Sequence, residues 1–497
     1  MANQNFYAIL KAAFRPALKK PFLTLPNGDT VTYGELDERS AQMAGALRAA
    51  GAKSGDRVVV QIKKSPANVA LYFGALRAGL IYVPLNTAYT DDEVQYFLPD
   101  AEPAIFVCDP AREAELTAIA GKQNVSTVLT LGPDGDGSAL EAANAAEPYS
   151  KVHPRHEDDL AVILYTSGTT GRSKGAMLSH GSLSSNAAAL NDIWDFQEDD
   201  VLLHALPIFH IHGLFVALHT AMLSACEVLF LPKFDVGEII RLIHRATVLM
   251  GVPTFYTRLL ADPEFGGEAT AHVRLFISGS APLTPETFNA FYDRTGHKIL
   301  ERYGMSEAGM ITSNPLMGER IPGTVGYPLP GVEIRTDGNP GEPGVVEVRG
   351  PNIFKGYWRM PEKTEEEFRD DGFFITGDVG AIADDGRLSL IGREKDLIIA
   401  GGYNIYPSEI ENVLDAIPGV AESAVIAAPH PDMGEGVVAV LVANGLRLAD
   451  NLLMDALSPL AKFKRPRKFF WIDALPRNAM GKVQKQVLRE TYKDVFL

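Results

Sequence analysis

Residues 160–175 read LAVILYTSGTTGRSKG, an apolar run that leads directly into a loop of glycine and hydroxyl side chains. The loop, residues 165–175, contains three glycines, five Ser or Thr residues and the lysine Lys174. Glycine lets backbone N–H groups approach phosphate oxygens, hydroxyl groups donate further hydrogen bonds, and lysine supplies positive charge. The stretch therefore predicts a buried strand that ends in a phosphate-binding turn.

The spacing within this loop differs from that of the common P-loop. A Walker A motif needs four residues between its first glycine and the sequence GK[ST], and residues 165–175 do not have that spacing. A flexible Ser/Gly linker is the simplest alternative, but a linker is not expected between a buried strand and a lysine. A phosphate site outside the generic P-loop kinases and GTPases is the better interpretation.

Length and composition exclude several classes of protein. A chain of 497 residues exceeds what one hydrophobic core serves, so at least two domains are expected. Apolar residues make up 46% and charged residues 22%, as in folded proteins, and no apolar run approaches the ~18–20 residues of a membrane helix. The net charge of −16 disfavours nucleic-acid binding. Small-molecule substrates, with neither nucleic acid nor membrane as partner, are the expectation.

The cysteines and the N-terminus indicate a cytoplasmic protein. Cys108 and Cys226 are the only cysteines and lie far apart, so neither a disulfide framework nor a zinc site is indicated and a reducing compartment is favoured. Residues 1–20 are basic and free of acids, which slightly resembles an organelle targeting segment. We interpret them as an ordinary first helix.

The order of predicted elements indicates an α/β fold. Strand-like residues 57–62, 80–84 and 104–108 alternate with helical patterns such as residues 67–77, which predicts β-α-β units and a largely parallel sheet. The strand-like segments 201–205, 247–252 and 275–277 are each followed by Pro, Gly or Ser, where α/β sheets place their ligand sites.

Two further regions follow this layered part. Gly/Pro-rich turns between short alternating strands predict a small β-rich subdomain at about residues 323–390. After residues 391–396 (IGREKD), Ser408 and Glu411 predict a capping box at the start of a helix. We expect an N-terminal domain, residues 1–394, and a small α+β domain, residues 395–497.

Several later segments resemble the acyl-adenylate-forming superfamily of acyl-CoA synthetases, nonribosomal adenylation domains and firefly luciferase. They are residues 206–213 (LPIFHIHG), 278–282 (SGSAP), 302–307 (RYGMSE), 374–378 (FITGD), 391–396 (IGREKD) and 476–482 (PRNAMGK). With residues 165–175 as the phosphate loop, the resemblance extends over essentially the whole chain. Taken singly, each has a plain alternative: a turn, a core histidine or a surface lysine.

The resemblance implies an ATP site with magnesium. Glu307 and Thr166 would hold Mg²⁺, and His210, Glu307, Thr166 and Lys482 would be catalytic. Asp378 and Arg393 would bind ribose, and Tyr303 would stack on adenine. The implied ATP or AMP contacts are Thr166, Ser167, Gly168, Thr169, Thr170, Gly171, Lys174, Ser278, Gly279, Ser280, Ala281, Pro282, Glu301, Arg302, Tyr303, Gly304, Met305, Ser306, Asp378, Arg393 and Lys482.

The chemistry implied is acid activation in two steps. Attack of a carboxylate on the α-phosphorus of ATP needs positioning, magnesium and nearby cations. In the family the small domain then rotates, with Lys395 at the hinge, and coenzyme A takes the acyl group. The implied coenzyme A contacts are Gly401, Gly402, Tyr403, Lys464 and Arg465, although the basic residues near 462–465 are equally well explained as a solvated face.

The acid substrate is indicated by a few short stretches only, and these look most like the corresponding stretches of malonyl-CoA synthetases. Malonate carries a second carboxylate that needs a partner once desolvated, and Arg258 is the predicted partner, with His210, Ser278 and Met310 as further pocket candidates. Arg258 on a solvent-facing helix is the alternative from spacing alone. The predicted reaction joins malonate, or also methylmalonate, to coenzyme A.

The sequence leaves other substrates open and suggests further partners. Another short-chain or aryl acyl-CoA synthetase, or an enzyme that loads a carrier protein, remains open. A monomer or weak homodimer is expected, and a lysine acyltransferase and deacylase could act on Lys482, which its glycine-flanked position would permit.

Overall fold

The protein is described here from a computed structural model, which covers residues 3–166, 173–339, 341–401, 403–477 and 482–497. Four sheets with surrounding helices make up a mixed α/β architecture. This confirms the predicted fold class. No helix in these ranges is both long and apolar enough to cross a bilayer.

The first sheet has six strands, and the two strands that flank the predicted phosphate loop lie at one edge. Its first five strands are parallel, as the β-α-β pattern predicted, and the last pair is an antiparallel hairpin that joins Thr166 to Lys174 in register. In spatial order the strands are Val128–Thr130, Ile105–Cys108, Arg57–Gln61, Ile81–Pro84, Leu160–Thr166 and Lys174–Ser179. The helices before the loop are Phe6–Phe14, Tyr33–Ala49, Pro66–Ala78, Asp91–Ala101, Glu113–Lys122 and Ser138–Ala145.

Local signals explain where these helices begin and end. Helix Pro66–Ala78 begins with proline after Ser65, whose side chain accepts a hydrogen bond from the backbone of Asn68, and ends at Gly79 in the left-handed conformation. Helix Phe6–Phe14 is the predicted first helix, and its residues Phe6, Tyr7, Leu10 and Phe14 are fully buried.

The second sheet has nine strands and positions most of the site. Four neighbouring parallel strands end at Met305, Ser278, Gly251 and His204, so these residues lie along one edge. In spatial order the strands are Tyr327–Pro328, Gly309–Ser313, Leu300–Met305, Leu275–Ser278, Val248–Gly251, Val201–His204, Glu227–Phe230, Pro21–Thr24 and Thr30–Thr32. The helices here are His180–Ile193, the π-helix His212–Leu218, His219–Leu223, Val236–Ile243, Pro253–Leu260, Gly267–Thr270 and Pro285–Thr295. One continuous apolar core joins the two sheets.

The third sheet is antiparallel and corresponds to the predicted β-rich region. Its strands in spatial order are Glu333–Thr336, Gly344–Arg349, Phe374–Ile382 and Leu388–Arg393, with the helix Pro361–Glu366 between the second and third. Two residues predicted to bind ribose, Asp378 and Arg393, are register partners on adjacent strands.

The C-terminal part has a five-stranded sheet with separate apolar clusters on its two faces. The strands are Ile398–Ala400, Tyr403–Ile405, Val420–His430, Gly434–Ala443 and Lys468–Ile472, and the helices are Pro407–Asp415, Asp450–Ala456 and Lys485–Thr491.

The capping box predicted in this part is wrong. Helix Pro407–Asp415 begins two residues earlier than a cap at Ser408 predicts, because proline takes its first position and Tyr406 precedes it without a side-chain cap. Ser408 instead donates to the carbonyl of Ile391. Glu411 accepts from the backbone of Val425 and pairs with Lys485, 2.7 Å away in both cases.

Candidate active site

The phosphate end of the site lies at the mouth of the hairpin. Thr166 donates to the carbonyl of Lys174 at 3.4 Å. The Nζ of Lys174 lies 2.8 Å from Glu367 Oε1 and 4.0 Å from the ring centroid of Tyr357. The predicted contacts Ser167, Gly168, Thr169, Thr170 and Gly171 fall outside the described residues.

Glu307, the predicted magnesium ligand, is 6% exposed just beyond strand Leu300–Met305. Its Oε1 lies 3.2 Å from Tyr357 Oη. Burial raises the pKa of Glu307, while the nearby charges of Arg393 and Lys174 oppose that rise. The carboxylate therefore gains from any cation that approaches it.

The donor set suits magnesium. The described part of the chain holds no group of three or more His, Cys, Asp or Glu side chains that could form an all-protein metal cage. Mg²⁺ does not require one, because it keeps several waters and takes one or two carboxylates together with substrate phosphates. Glu307 and the hydroxyl of Thr166 provide oxygen donors of this kind.

The predicted nucleoside contacts form one network. Tyr303 donates to Asp378 Oδ2 at 2.5 Å, and Arg393 Nε lies 2.6 Å from Asp378 Oδ1. The backbone N–H of Asp378 donates to Thr376 Oγ1 at 3.0 Å, which fixes the turn. Burial raises the pKa of Tyr303 well above its ordinary value, so its hydroxyl stays a neutral donor. Thr376 is absent from the sequence-based predictions, although the TGD motif contains it.

The loop after strand Leu275–Ser278 is tightly packed. A side chain at Gly279 would lie 2.5 Å from the guanidinium of Arg302, so only glycine fits. Ser280 adopts φ = 72°, a strained conformation for a residue with a side chain, and its Oγ lies 3.3 Å from His212 Nδ1. Ala281 and Pro282 are exposed, and Gly304, Met305 and Ser306 are half-buried.

Glu301 stabilises this loop through a hydrogen bond. Its Oε1 accepts from the backbone of Leu283 at 2.9 Å, and its Oε2 has no partner among the described residues. Burial raises the pKa of Glu301 to about 7.

Arg302 is the most unusual group in the site. It is 2% exposed, and its Nε and Nη2 have no hydrogen-bond partner among the described residues. Burial lowers its pKa from 12.5 to about 9. Ser278 Oγ and His212 Nε2 are also buried without partners in the described part of the chain. These groups form a polar cluster in which Arg302 makes no salt bridge with another described residue, although the charge of the neighbouring Glu301 acts on it.

Two histidines border this group and are neutral. Burial, together with the charges of Lys482 and Arg302, lowers the pKa of His210 to about 3. Burial likewise holds the pKa of His212 well below its ordinary value. Met310 is fully buried, and its terminal carbon lies over Gly304, 2.5 Å from where a side chain would begin.

Arg258 lies outside this buried group. It is exposed near the end of helix Pro253–Leu260, and its guanidinium lies 5.8 Å from the ring centroid of Phe234. Its contact with an acid stays a prediction.

Lys482 enters the site from the C-terminal part, just before helix Lys485–Thr491. Its side chain keeps contact with solvent, but the protein atoms that crowd around it reduce its solvation and lower its pKa. Arg393 and Arg302 lower this pKa further, whereas Asp378 and Glu307 oppose the change. The charges of the nucleoside network and of Arg302 therefore both act on this lysine.

The predicted hinge residue adjoins the nucleoside network, since Lys395 follows strand Leu388–Arg393 and the charges of Arg393 and Asp378 act on it. Lys395 occupies a short 3₁₀ turn, Glu394–Asp396, and burial lowers its pKa to about 8. Tyr403 is exposed and stacks on Phe463 with ring centroids 4.4 Å apart.

The two basic residues predicted beside this stack already have internal partners. Lys464 pairs with Glu409, and Arg465 donates to backbone carbonyls of residues 458 and 460. Gly401 has φ = 58°, and Gly402 lies outside the described residues.

Sequence and structure comparisons agree with this geometry. The family profile of AMP-binding enzymes matches residues 11–358, and that of the AMP-binding enzyme C-terminal domain matches residues 409–482. The chain is 35% identical over 503 residues to a malonate–CoA ligase of Arabidopsis thaliana, covering 94% of this chain and 82% of the relative. It is also 35% identical over 478 residues to a feruloyl-CoA synthase of Amycolatopsis sp, covering 94% of each.

Solved structures extend the likeness to the arrangement of the domains. ATP-bound MatB from Rhodopseudomonas palustris is 53% identical, with 100% of both chains covered and a TM-score of 0.97. Its apo form, at the same identity and coverage, gives a TM-score of 0.85. Together these findings show that the chain belongs to the AMP-binding, acyl-adenylate-forming enzyme family and is an AMP-forming acid–thiol ligase that uses ATP and coenzyme A.

Proposed function

We propose that this acyl-CoA synthetase acts on malonate. Malonate and ATP would give malonyl-AMP and pyrophosphate, and malonyl transfer to coenzyme A would give malonyl-CoA and AMP. The observation that carries the proposal is the buried guanidinium of Arg302, which has N–H donors without partners beside His210 and Ser278. Methylmalonate has the same second carboxylate and is a candidate for the same reason.

A buried cation of this kind favours a dicarboxylate. An unpaired charge in the interior is costly and is retained where a ligand neutralises it. The carboxylate of malonate that is not adenylated is an anion close to the reacting centre, and guanidinium forms strong charge-assisted bonds with it. A site for an apolar or aryl acid gains nothing from this charge.

We therefore propose a different role for Arg302 from the nucleotide contact that its motif implied. Successive side chains of a strand point to opposite faces, and Tyr303 points to Asp378 in the nucleoside network. Arg302 accordingly points to the other face, where Gly279 and His212 lie. Arg258, which is exposed on helix Pro253–Leu260, remains a second candidate.

The remaining groups fit the adenylation step. Lys482 would stabilise the charge that develops between the acid and the α-phosphate, and Lys174 would hold the outgoing phosphates. Magnesium, when bound by Glu307 and Thr166, would neutralise phosphate charge. The neutral imidazole of His210 leaves the acid free of a competing cation at that position. Asp378, Tyr303 and Arg393 would hold the ribose and adenine.

The second step is proposed to use another arrangement of the chain. Rotation of residues 395–497 about Lys395 would withdraw Lys482 and bring Tyr403, Gly401 and their neighbours to the thiol path. The stack of Tyr403 on Phe463 offers an aromatic surface to coenzyme A. Action of a lysine acyltransferase on Lys482 stays a prediction.

A panel of acids tests the substrate. Purified enzyme would be assayed for ATP–pyrophosphate exchange and for coenzyme A-dependent AMP release with malonate, methylmalonate, acetate, butyrate and ferulate. Malonate should give the highest kcat/KM, with acetate and butyrate far lower. Preference for a monocarboxylate or for ferulate would refute the proposal, while leaving the family assignment in place.

A further inference from the structure

The lysine proposed to hold the ATP phosphates already has an anionic partner within the protein. Lys174 pairs with Glu367 at 2.8 Å, and their side chains are only 14% and 20% exposed. The ring of Tyr357 covers the ammonium group at 4.0 Å. Glu367 is 193 residues away in sequence and belongs to no motif that the sequence indicated. Phosphates and Glu367 must therefore compete for the same cation.

Tyr357 connects this pair to the magnesium carboxylate. Its hydroxyl lies 2.6 Å from Glu367 Oε2 and 3.2 Å from Glu307 Oε1. A tyrosine hydroxyl has one proton, so it donates fully to only one carboxylate at a time. The shorter distance assigns that proton to Glu367 in this structure.

Glu367 has a second cation that remains when Lys174 moves away. Lys363 Nζ lies 3.2 Å from the same Oε1 atom and one helical turn before Glu367. The pKa of Glu367 is held below its ordinary value, since the hydrogen bonds and charges of Lys174, Tyr357 and Lys363 outweigh the effect of burial. Loss of Lys174 to a phosphate therefore still leaves Glu367 with Lys363 and Tyr357 as partners.

We propose that Glu367 is a positioning residue that exchanges Lys174 with the phosphates of ATP and pyrophosphate. Before ATP binds, Glu367 keeps Lys174 beside the phosphate site in an ordered conformation. When the phosphates arrive, Lys174 turns to them and Glu367 keeps Lys363. After adenylation, Glu367 takes Lys174 back, which weakens the hold on pyrophosphate and helps it leave. This inference rests on the proposed phosphate role of Lys174.

The direction in which one substitution changes the binding of pyrophosphate and ATP tests the exchange. Glu367→Gln removes the competing charge, so pyrophosphate should inhibit about three- to tenfold more strongly and the KM for ATP should fall in parallel. Glu365→Gln, an exposed carboxylate in the helix Pro361–Glu366, is the matched control and should change neither value. Thioester formation from supplied acyl-AMP, which involves no pyrophosphate, should be unchanged in both variants.

A second variant should change pyrophosphate and ATP binding in the opposite direction. It keeps the inference testable if the first variant does not fold. Lys363→Met leaves Lys174 as the main cation for Glu367, so pyrophosphate and ATP should bind about two- to threefold more weakly. Equal values for Glu367→Gln and Glu365→Gln, weaker pyrophosphate binding in Glu367→Gln, or tighter binding in Lys363→Met would each overturn the inference. A residue with a purely structural role would weaken binding in both variants.

The assumption about Lys174 is tested separately. Lys174→Met should raise the KM for ATP and weaken inhibition by pyrophosphate. If these values do not change, the phosphate role fails and the exchange fails with it. If they change while Glu367→Gln behaves as its control, only the exchange is wrong. All assays use whichever acid the wild-type enzyme adenylates best, so an error about malonate does not affect them.

Discussion

Replacement of Arg302 by methionine separates the proposed substrate role from a structural one. Methionine has a similar length and no charge, so Arg302→Met should keep the packing against Gly279 while it removes the buried cation. Two measured quantities should then change in opposite directions: the free energy of unfolding should rise and the activity on malonate should fall.

The stability gain follows from the burial of an unpaired charge. Burial lowers the pKa of Arg302 from 12.5 to about 9, and at about 1.4 kcal/mol per pKa unit this corresponds to a cost of about 5 kcal/mol. Relaxation and solvent reduce this figure, and replacing buried charged groups with apolar side chains typically stabilises proteins by about 1–4 kcal/mol. We expect a gain within that range for the ligand-free enzyme, measured by denaturant unfolding at pH 7.

The activity loss follows from the bonds that the guanidinium would make. Hydrogen bonds to charged groups contribute about 1.5–3 kcal/mol each, so two such bonds amount to at least about 3 kcal/mol. That value corresponds to a loss of about 150-fold in kcat/KM for malonate. Activity on acetate, which has no second carboxylate, should change by less than about threefold. ATP–pyrophosphate exchange with the two acids measures both.

The ratio of malonate activity to acetate activity decides whether Arg302 binds the second carboxylate. If malonate and acetate activities fall in the same proportion, Arg302 does not bind the second carboxylate. If the variant is also less stable than the wild type, the buried guanidinium has a structural partner and the physical argument is refuted. Arg302→Lys is the conservative control, and it should recover part of the malonate activity because it restores a cation.

Three further predictions concern neighbouring groups. Lys482→Ala should abolish adenylation from ATP while leaving thioester formation from supplied malonyl-AMP largely intact; equal loss of both, in single-turnover assays, would contradict two separate arrangements. Arg258→Ala should lower malonate activity more than monocarboxylate activity if this arginine also contacts the acid, and kcat/KM ratios that match the wild type would assign it to the surface. Burial raises the pKa of Glu301 from 4.5 to about 7 in the folded protein, so its contribution to stability is full below pH 4.5 and is lost as pH rises through about 7. Glu301→Gln should therefore be more stable than the wild type by about 2–3 kcal/mol at pH 8 and equal to it near pH 4.5, as measured by unfolding at both values.

The parts of the site that the sequence predicted are those built from local spacing. The segment before Lys174 and the loop after Ser278 each follow a strand directly, and residues 376–378 lie within the strand Phe374–Ile382, so glycine and hydroxyl residues at short intervals identify all three. The fold class followed from the same alternation of strands and helices, because β-α-β units leave a repeated local pattern.

The parts that it missed depend on contacts between distant segments. Glu367 and Tyr357 lie on the segment between the second and third strands of the third sheet, which contacts residues 175–177, and no short motif records their contacts with Lys174 and Glu307. Arg302 lies within a predicted motif, but its role depends on which face of the strand it occupies. The capping box at Ser408 failed for a local reason, since the preceding proline fixed the first helical position.

The charges around Lys482 explain why its position should depend on the substrates. In this structure the cations of Arg393 and Arg302 both disfavour the protonated lysine, and burial disfavours it more. Bound ATP and a dianionic acid would add negative charge at this point, so they would favour the lysine inside the site. Departure of pyrophosphate and loss of one acid charge on adenylation remove part of that attraction. The same residues that assist adenylation would thus release the C-terminal part afterwards, which is the order that the two half-reactions require.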